Sequence, residues 1–275
     1  MNRKSKAKTV GFYLIALLIA ITVMIPFYWM VITSLKNKGA LMALPIQWIP
    51  KKPSLASYKK VFSLFPFSRA IINSAFVTVS YTVITIVSAS MAAFAIAKIA
   101  FKGSNVIFAM YLGSMMIPMQ ITLIPSFIIM QKLSLIDTYS SVVLPSIFKA
   151  FGVFLLVQSM RSLPNDYMEA ASLDGAGMFK IYRSIIMPMC KPAVATLSIT
   201  TFMEAWNDYL WPLVMLSDKK KMTLTLALNS LNGQYGTEYN VLMAGSLMSM
   251  IPIIIVYAIA QTQMKQGITL GGVKG

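Results

Sequence analysis

Long stretches without a charged residue alternate along this chain with short segments that carry most of its lysines and arginines. About 20 predominantly apolar residues are enough for a helix to cross the hydrocarbon core of a bilayer. Asp, Glu, Lys and Arg are absent from 11–35, 70–97, 103–131 and 239–264. Two further windows, 138–160 and 192–217, are apolar apart from Lys149 in the first and Glu204 and Asp208 in the second. The pattern predicts an all-α integral membrane protein with six spans.

The polar segments divide the chain into its predicted parts. These are an N-terminus at 1–10, a first span at 11–35, a loop at 36–69, a core at 70–264 that includes polar segments 161–191 and 218–238, and a tail at 265–275. The basic N-terminus resembles the start of a signal peptide, but the apolar run after it is too long and no small-residue cleavage site follows, so we expect this span to remain. Six spans put both termini on one side. Charge does not choose that side, because its segments hold 12 Lys and Arg residues against 11 opposite.

Composition narrows the classes of function. Charged residues make up 12% of the chain, against about 25% in soluble proteins. A net charge of +16 would favour nucleic acid on a soluble face, but here the basic residues lie between spans, where they meet lipid head groups. The chain has one cysteine and no histidine, which argues against a metal site or a nucleophilic catalytic site. We therefore predict no nucleic-acid partner, no metal and no catalytic residue.

The longest polar segment on the side of the termini, 161–191, has the pattern of two short helices around a turn. A Pro-Asn-Asp run precedes a predicted helix at 166–172. Gly175 then supplies the left-handed conformation that favours a helix end. A second helix is predicted at about 176–186, ending at Pro188. A soluble partner docked on this helix–turn–helix could move the attached spans.

The residues of this segment carry a family resemblance. The runs Glu169-Ala170-Ala171 and Asp174-Gly175-Ala176, then Ile185, Pro188 and Pro192, resemble the loop shared by inner-membrane subunits of binding-protein-dependent ABC importers. Further stretches resemble the carbohydrate branch, closest to the smaller permease subunit of maltose-type and related oligosaccharide importers: 26–30 with 33–36, 206–212, 234–237 and 267–275. In the tail, Leu270 stands where that branch more usually has Ala.

The resemblance implies a non-catalytic transport subunit in a bacterial cell membrane. It implies that both termini are cytoplasmic and that 161–191 is a cytoplasmic coupling loop between spans four and five. The expected partners are a second homologous permease, two ATP-binding subunits and an extracellular or periplasmic sugar-binding protein. The chain lacks the G-x-x-x-x-G-K-[ST] phosphate loop, so we expect ATP and Mg to be bound by the partner ATPase and no cofactor by this chain.

The resemblance also implies roles for particular residues. ATPase coupling is expected of Glu169, Ala170, Ala171, Asp174, Gly175 and Pro188; ATPase contact by the tail of Gly271, Gly272 and Lys274; and binding-protein contact of Gln234, Tyr235, Gly236 and Thr237. Glu169 near a helix start could instead only complement the helix dipole, worth about 0.3–1 kcal/mol.

Polar side chains inside the predicted spans are candidates for the translocation path. They are Lys149, Glu204, Asn207 and Asp208. A charge within the membrane usually faces the bundle interior and has a partner. Lys149 and Glu204 lie at similar depths, so they could pair, contact the sugar, or pack against the partner subunit. Asp208 follows Glu204 by four residues, which predicts one helix face for both.

Other features leave alternatives open. Trp206, Tyr209 and Trp211 could stack on sugar rings or anchor the chain at the membrane interface. Pro118 and Pro125 predict a kinked or broken third span, which could line a cavity or serve only packing. An importer of a non-sugar solute is the main alternative. A secondary transporter would need inverted repeats or an intramembrane acidic relay, for which support is thin, and a membrane enzyme lacks candidate catalytic groups.

Overall fold

The computed structural model describes residues 3–41, 43–99, 101–230 and 238–271. The regular elements in these residues are all helical. The α-helices are α1 (Arg3–Ser34), α2 (Ala56–Leu64), α3 (Phe67–Lys98), α4 (Ser104–Ser114), α5 (Met119–Lys132), α6 (Tyr139–Val143), α7 (Ala150–Arg161), α8 (Asp166–Leu173), α9 (Met178–Ile181), α10 (Met187–Met189), α11 (Lys191–Asn207), α12 (Leu210–Met215), α13 (Leu224–Ser230) and α14 (Tyr239–Gly271). Short 3-10 turns lie at Lys38–Ala40 and Leu144–Phe148, and a π-helical turn lies at Tyr182–Ile186.

Within this part of the chain, four helices are long and apolar enough to cross a membrane, and the number rises to six if each of two bent pairs counts as one span. The four are Gly11–Ser34, Phe67–Lys98, Tyr139–Arg161 and Tyr239–Ile259; the pairs are Ser104–Ser114 with Met119–Lys132 and Met178–Met189 with Lys191–Asn207. The predicted all-α class is confirmed. The third predicted span is bent, as its prolines predict, whereas the fifth is interrupted rather than continuous.

The break in the third predicted span lies at Pro118. Helices α4 and α5 meet there at 105°, and Pro118 is extended, with φ −61° and ψ 136°. Proline has no N–H for the helix and disfavours helical geometry in the residue before it. Pro125 lies inside α5 without ending it. The predicted break is therefore confirmed at the first proline only.

The fifth predicted window, 192–217, is not one helix. Helix α11 ends at Asn207, Asp208 is extended, and α12 begins at Leu210. Pro212 has no N–H to bond the carbonyl of the residue four places before it, which is Asp208, so a continuous helix is disfavoured there. The prediction that Glu204 and Asp208 share a helix face is therefore wrong.

The chain divides into two compact units, Met1–Phe67 with Leu228–Ile251 and Ser68–Ala227 with Pro252–Gly275. In the first unit, Glu238 forms ion pairs with Lys60 at 2.6 Å and with Lys38 at 3.2 Å. The side-chain amide of Asn240, which is buried, donates to the Ser57 hydroxyl at 3.0 Å. These contacts join the start of α14 to α2 and to the chain after α1.

In the second unit, Asp137 joins the loop after α5 to the loop after α12. Its carboxylate accepts the N–H groups of Ser217 and Asp218, both at 3.0 Å, and pairs with Lys221 at 2.7 Å. The Asp218 N–H and the Lys221 ammonium lower the pKa of Asp137 to about 2. Because the folded-state pKa is depressed, this contribution to stability is complete above the ordinary carboxyl range and is lost as the pH falls through about 2.

The helices of the second unit pack closely at Gly152. A Cβ added there would lie 3.0 Å from the Ala89 Cβ in α3 and 3.3 Å from a Leu197 methyl in α11. Both residues are buried, at 1% and 0% exposure. A glycine at this point of α7 therefore lets three helices approach closely, which is the role of small residues at membrane helix interfaces.

We predict that Gly152→Val destabilises the protein by about 1–3 kcal/mol, since overpacking a tight helix contact forces backbones or side chains apart. The melting temperature of the detergent-purified protein measures the effect. Gly113→Val in α4 is the matched control, because nothing lies within 4 Å of a Cβ built at Gly113. Equal melting temperatures for the two variants would contradict the prediction.

Candidate functional site

The segment singled out by the sequence begins with α8. The carbonyl of Asn165 accepts the N–H groups of Met168 at 2.8 Å and Glu169 at 3.1 Å, which starts the helix. Met168 and Ala171 are buried in the core of the second unit. Glu169 lies on the opposite, exposed side. Its carboxylate has no hydrogen bond or ion pair to another described residue.

The turn after α8 is the predicted glycine turn. Helix α8 ends at Leu173, and Gly175 takes a left-handed φ of +78°. The N–H of Gly175 bonds the Ser172 carbonyl at 3.0 Å, and the N–H of Ala176 bonds the Ala171 carbonyl at 2.9 Å. These bonds satisfy carbonyls that a helix end would leave open.

The second helical arm differs from the prediction at both ends. It begins at Met178 and runs through the π-helical turn to Met189, so Pro188 lies inside it instead of ending it. Proline is tolerated here because it sits in the turn directly after the π-helical turn, where the regular hydrogen-bond ladder is already interrupted. The chain then bends by 79° into α11.

Exposed apolar and acidic side chains occur in both arms. Leu173 is 89% exposed and Phe179 is 66% exposed, and Asp174 between them is also exposed. Tyr167 and Met178 are similarly exposed. We call Tyr167, Glu169, Leu173, Asp174, Met178 and Phe179 the coupling face. The sequence argument identified the carboxylates of this set but missed its large apolar side chains. Which apolar side chains of these helices are exposed becomes clear only once the buried side of each helix is known.

The coupling face is attached to the core by polar contacts that the sequence did not reveal. The Lys98 ammonium, at the end of α3, donates to the Leu163 carbonyl and to the Asn165 side-chain oxygen, both at 2.7 Å. The hydroxyls of Ser90 in α3 and Tyr182 in the second arm lie 2.7 Å apart. With Ile181 and Ile186 fully buried, these contacts hold both arms against α3.

Lys149 and Glu204 form an ion pair, as one of the alternatives predicted. Lys149 lies where the 3-10 turn Leu144–Phe148 meets α7, and its backbone is extended there. The carbonyl of Ser146, beside this break, accepts the Thr85 hydroxyl at 3.3 Å. Glu204 remains 54% exposed while its partner is 23% exposed, so one carboxylate edge stays open.

The other candidate path residues separate in the structure. Asn207 is exposed and donates its amide to the Met203 carbonyl at 2.8 Å. Asp208 accepts the Trp211 N–H at 3.3 Å and so caps α12. Trp206 and Trp211 are only 3% and 7% exposed, so they pack inside the unit, and both interpretations of these two rings, sugar stacking and interface anchoring, are wrong.

Two sets of predicted contact residues fall mostly outside the described part of the chain. The binding-protein set, Gln234, Tyr235, Gly236 and Thr237, lies outside it entirely. In the tail set, Gly271 is the last residue of α14, whereas Gly272 and Lys274 lie outside the described residues. Both sets stay predictions.

Residues 84–269 match a family described as the binding-protein-dependent transport system inner membrane component. The chain belongs to this family. The matched range contains the coupling face and the Lys149–Glu204 pair. This binding-protein-dependent permease is therefore a multi-pass membrane subunit of a transport system, with neither an enzymatic role nor a cofactor of its own.

Similar proteins cover nearly the whole permease. The arabinooligosaccharides transport system permease protein AraQ of Bacillus subtilis is 33% identical over 262 residues, which are 94% of this chain and 93% of that protein. The melibiose/raffinose/stachyose import permease protein MelC of the same species is 30% identical over 95% of each. In fold, the permease resembles a crystal structure of a bacterial ABC transporter involved in the import of the acidic polysaccharide alginate, with a TM-score of 0.85, 24% identity and coverage of 95% and 98%.

We predict that the contribution of the Lys149–Glu204 ion pair to stability requires opposite charges at the two positions, whichever position carries which charge. Lys149→Glu and Glu204→Lys singly place like charges together and lower the melting temperature of the purified permease. The double variant with both changes restores an ion pair and recovers most of the loss. A double variant no more stable than the single ones would show that the pairing contributes nothing.

Proposed function

We propose that this permease is one of two transmembrane subunits of an ATP-driven importer for a sugar or oligosaccharide. The coupling face carries the proposal: exposed carboxylates and large apolar side chains lie on a segment whose other side is packed into the helix core. A face of that kind suits a soluble partner, since aromatic and apolar anchors dominate protein interfaces. AraQ and MelC, which match the permease over almost its entire length, support sugar as the solute class.

The proposed topology has six spans, with each bent helix pair crossing once. Both termini and 161–191 are then cytoplasmic, and 36–69 and 218–238 face outside. The coupling face docks on an ATP-binding subunit, and a second such subunit serves a second, homologous permease. The partner subunits bind ATP and Mg, the tail residues Gly271, Gly272 and Lys274 touch that ATPase pair, and Gln234, Tyr235, Gly236 and Thr237 meet the sugar-binding protein.

The proposed mechanism is alternating access driven through the coupling segment. Closure of the ATPase pair pushes on the coupling face. Because Lys98, Ser90 and Tyr182 tie the two arms to α3, the push moves the arms and α3 together. The sugar passes along the interface with the second permease, where the open carboxylate edge of Glu204 and the amide of Asn207 offer hydrogen bonds to hydroxyl groups.

Glu169→Lys is expected to weaken docking without unfolding the permease, because the side chain is exposed and has no partner among the described residues. The permease is expressed with its genomic neighbours and purified by a tag on this chain. The ATP-binding subunit should co-purify with the wild type and be lost or uncoupled in the variant, with sugar-stimulated ATP hydrolysis measured in proteoliposomes. Lys219→Glu, an exposed charge reversal in a proposed external loop, is the matched control. Purification of this chain alone, with solute movement on an ion gradient, would contradict the importer assignment.

Lys98→Met is expected to lower the amount of sugar imported per ATP severalfold while the ATP-binding subunit still co-purifies. The change removes two charge-assisted hydrogen bonds to the start of the coupling segment, each worth roughly 1.5–3 kcal/mol, but leaves the coupling face intact. Lys102→Met, an exposed lysine four residues on, is the control, and Lys98→Arg should recover part of the coupling. An unchanged ratio of sugar imported to ATP hydrolysed would show that the Lys98 hydrogen bonds do not transmit the motion of the ATPase to α3.

A further inference from the structure

A cavity of about 240 Å³ lies in the first unit, where the chain after α1 folds back on the end of that helix. Its lining residues include Lys36, Lys51 and Lys52, together with Asn37 and Gln47. None of its described lining residues carries a carboxylate. A cavity lined by three basic residues and two amide residues, with no acidic residue among its described walls, favours an anion.

The positive charge of this cavity has no counterpart in its own unit. Residues 36–69 contain no Asp or Glu, and Glu238 is held by Lys38 and Lys60. Lys36 is only 3% exposed, and its ammonium makes no ion pair or hydrogen bond within the described residues. It lies 4.6 Å from the centre of the Trp29 ring, a contact that offsets only part of the cost of burying a charge.

The cavity lies beside the end of an apolar span and beside aromatic side chains. The apolar span ends at Ser34, two residues before Lys36. The Tyr28 hydroxyl donates to the Trp48 carbonyl at 2.7 Å, and the rings of Trp29 and Trp48 are 5.5 Å apart. Trp and Tyr concentrate at membrane–water interfaces.

Apolar side chains next to the cavity face outward as well. In the segment that closes it, Leu44 is 88% exposed and Ile49 is 76% exposed. Binding of a soluble anion would not involve such apolar side chains. In a lipid site, the acyl chains lie beside apolar residues while the head group contacts basic ones.

We propose that this cavity binds the phosphodiester head group of an acidic phospholipid. Lys36, Lys51 and Lys52 neutralise the phosphate, and Asn37 and Gln47 donate amide hydrogens to its oxygens. The lipid fills the gap between the end of α1 and the folded-back segment, and so ties the first span to the loop after it. The site shares no residue with the coupling face and does not depend on which solute is carried.

The test uses the assembled transporter, purified with its partner subunits and stripped of lipid by detergent exchange. It is titrated with phosphatidylglycerol or with phosphatidylcholine of the same acyl chains, and bound lipid is counted by native mass spectrometry. Wild type should retain phosphatidylglycerol preferentially. Lys51→Gln with Lys52→Gln should weaken that retention at least about ten-fold, since one lysine near an anionic lipid surface contributes about a factor of five.

The matched control is Lys219→Gln with Lys220→Gln, two adjacent exposed lysines elsewhere in the chain, which should leave retention unchanged. Unaltered co-purification of the partner subunits shows that the variants fold. Equal retention by both double variants, or no preference for the acidic lipid, overturns the proposal. Displacement of the lipid by an equal concentration of glycerol phosphate would assign the site to a soluble anion instead. Weakened binding of the sugar-binding protein with unchanged lipid retention would assign the lysines to that partner.

Discussion

Inside a bilayer, each backbone N–H and C=O group must find its partner within the protein, and the rest of this structure follows from how that demand is met. Continuous helices meet it in α1, α3 and α14. Where a helix is interrupted, side chains take over. The Thr85 hydroxyl bonds the Ser146 carbonyl beside the break at Lys149, and the Trp211 indole bonds the Ser141 carbonyl at 3.0 Å. The interruptions are tolerated because the packed unit supplies these partners.

The same interruptions bring the intramembrane charges together. Lys149 sits at a break in the fourth predicted span, and Glu204 lies in the last turn of α11 before that helix ends. A lysine within an unbroken, lipid-facing helix would carry the full cost of its charge. At a break it reaches a carboxylate from another helix, and Glu204 keeps one edge open for further contact. Glu204 can thus offer a polar group to the proposed path while its charge remains paired with that of Lys149.

Mechanical coupling needs two properties that usually conflict. A docking surface must expose large side chains, whereas force transmission needs a segment that does not yield. In 161–191 the two properties occupy opposite sides of the same short helices: Leu173 and Phe179 are exposed, while Ile181 and Ile186 are buried. Lys98 adds a charged tether where the segment leaves the helix core. Together, the buried side chains and the Lys98 hydrogen bonds hold this segment firmly against α3.

Features that depend on residues close together in the chain can be predicted from the sequence better than features that depend on distant residues. Charge-free runs are local, and they are enough to predict a helical membrane protein and the position of most spans. The turn at Gly175 and the break at Pro118 are local too, since each follows from the backbone chemistry of one residue. The Glu-Ala-Ala and Asp-Gly-Ala runs identified the family.

The wrong predictions have two kinds of cause. The end of α11 at Asn207 and the cap made by Asp208 are local, since Pro212 interrupts the helix and Asp208 bonds the Trp211 N–H three residues on. The burial of Trp206 and Trp211 depends on which helices pack around them, because apolar composition is the same for a lipid-facing and a core-facing aromatic ring. The Lys98 tether likewise joins residues far apart in the chain, whereas the lysine cavity forms within 36–52. The sequence alone determined the membrane class, the glycine turn of 161–191 and the family, because those depend on local composition and short motifs. Only the tertiary structure decided which charges pair, which rings are buried and where positive charge is left unmatched, because those depend on distances between helices.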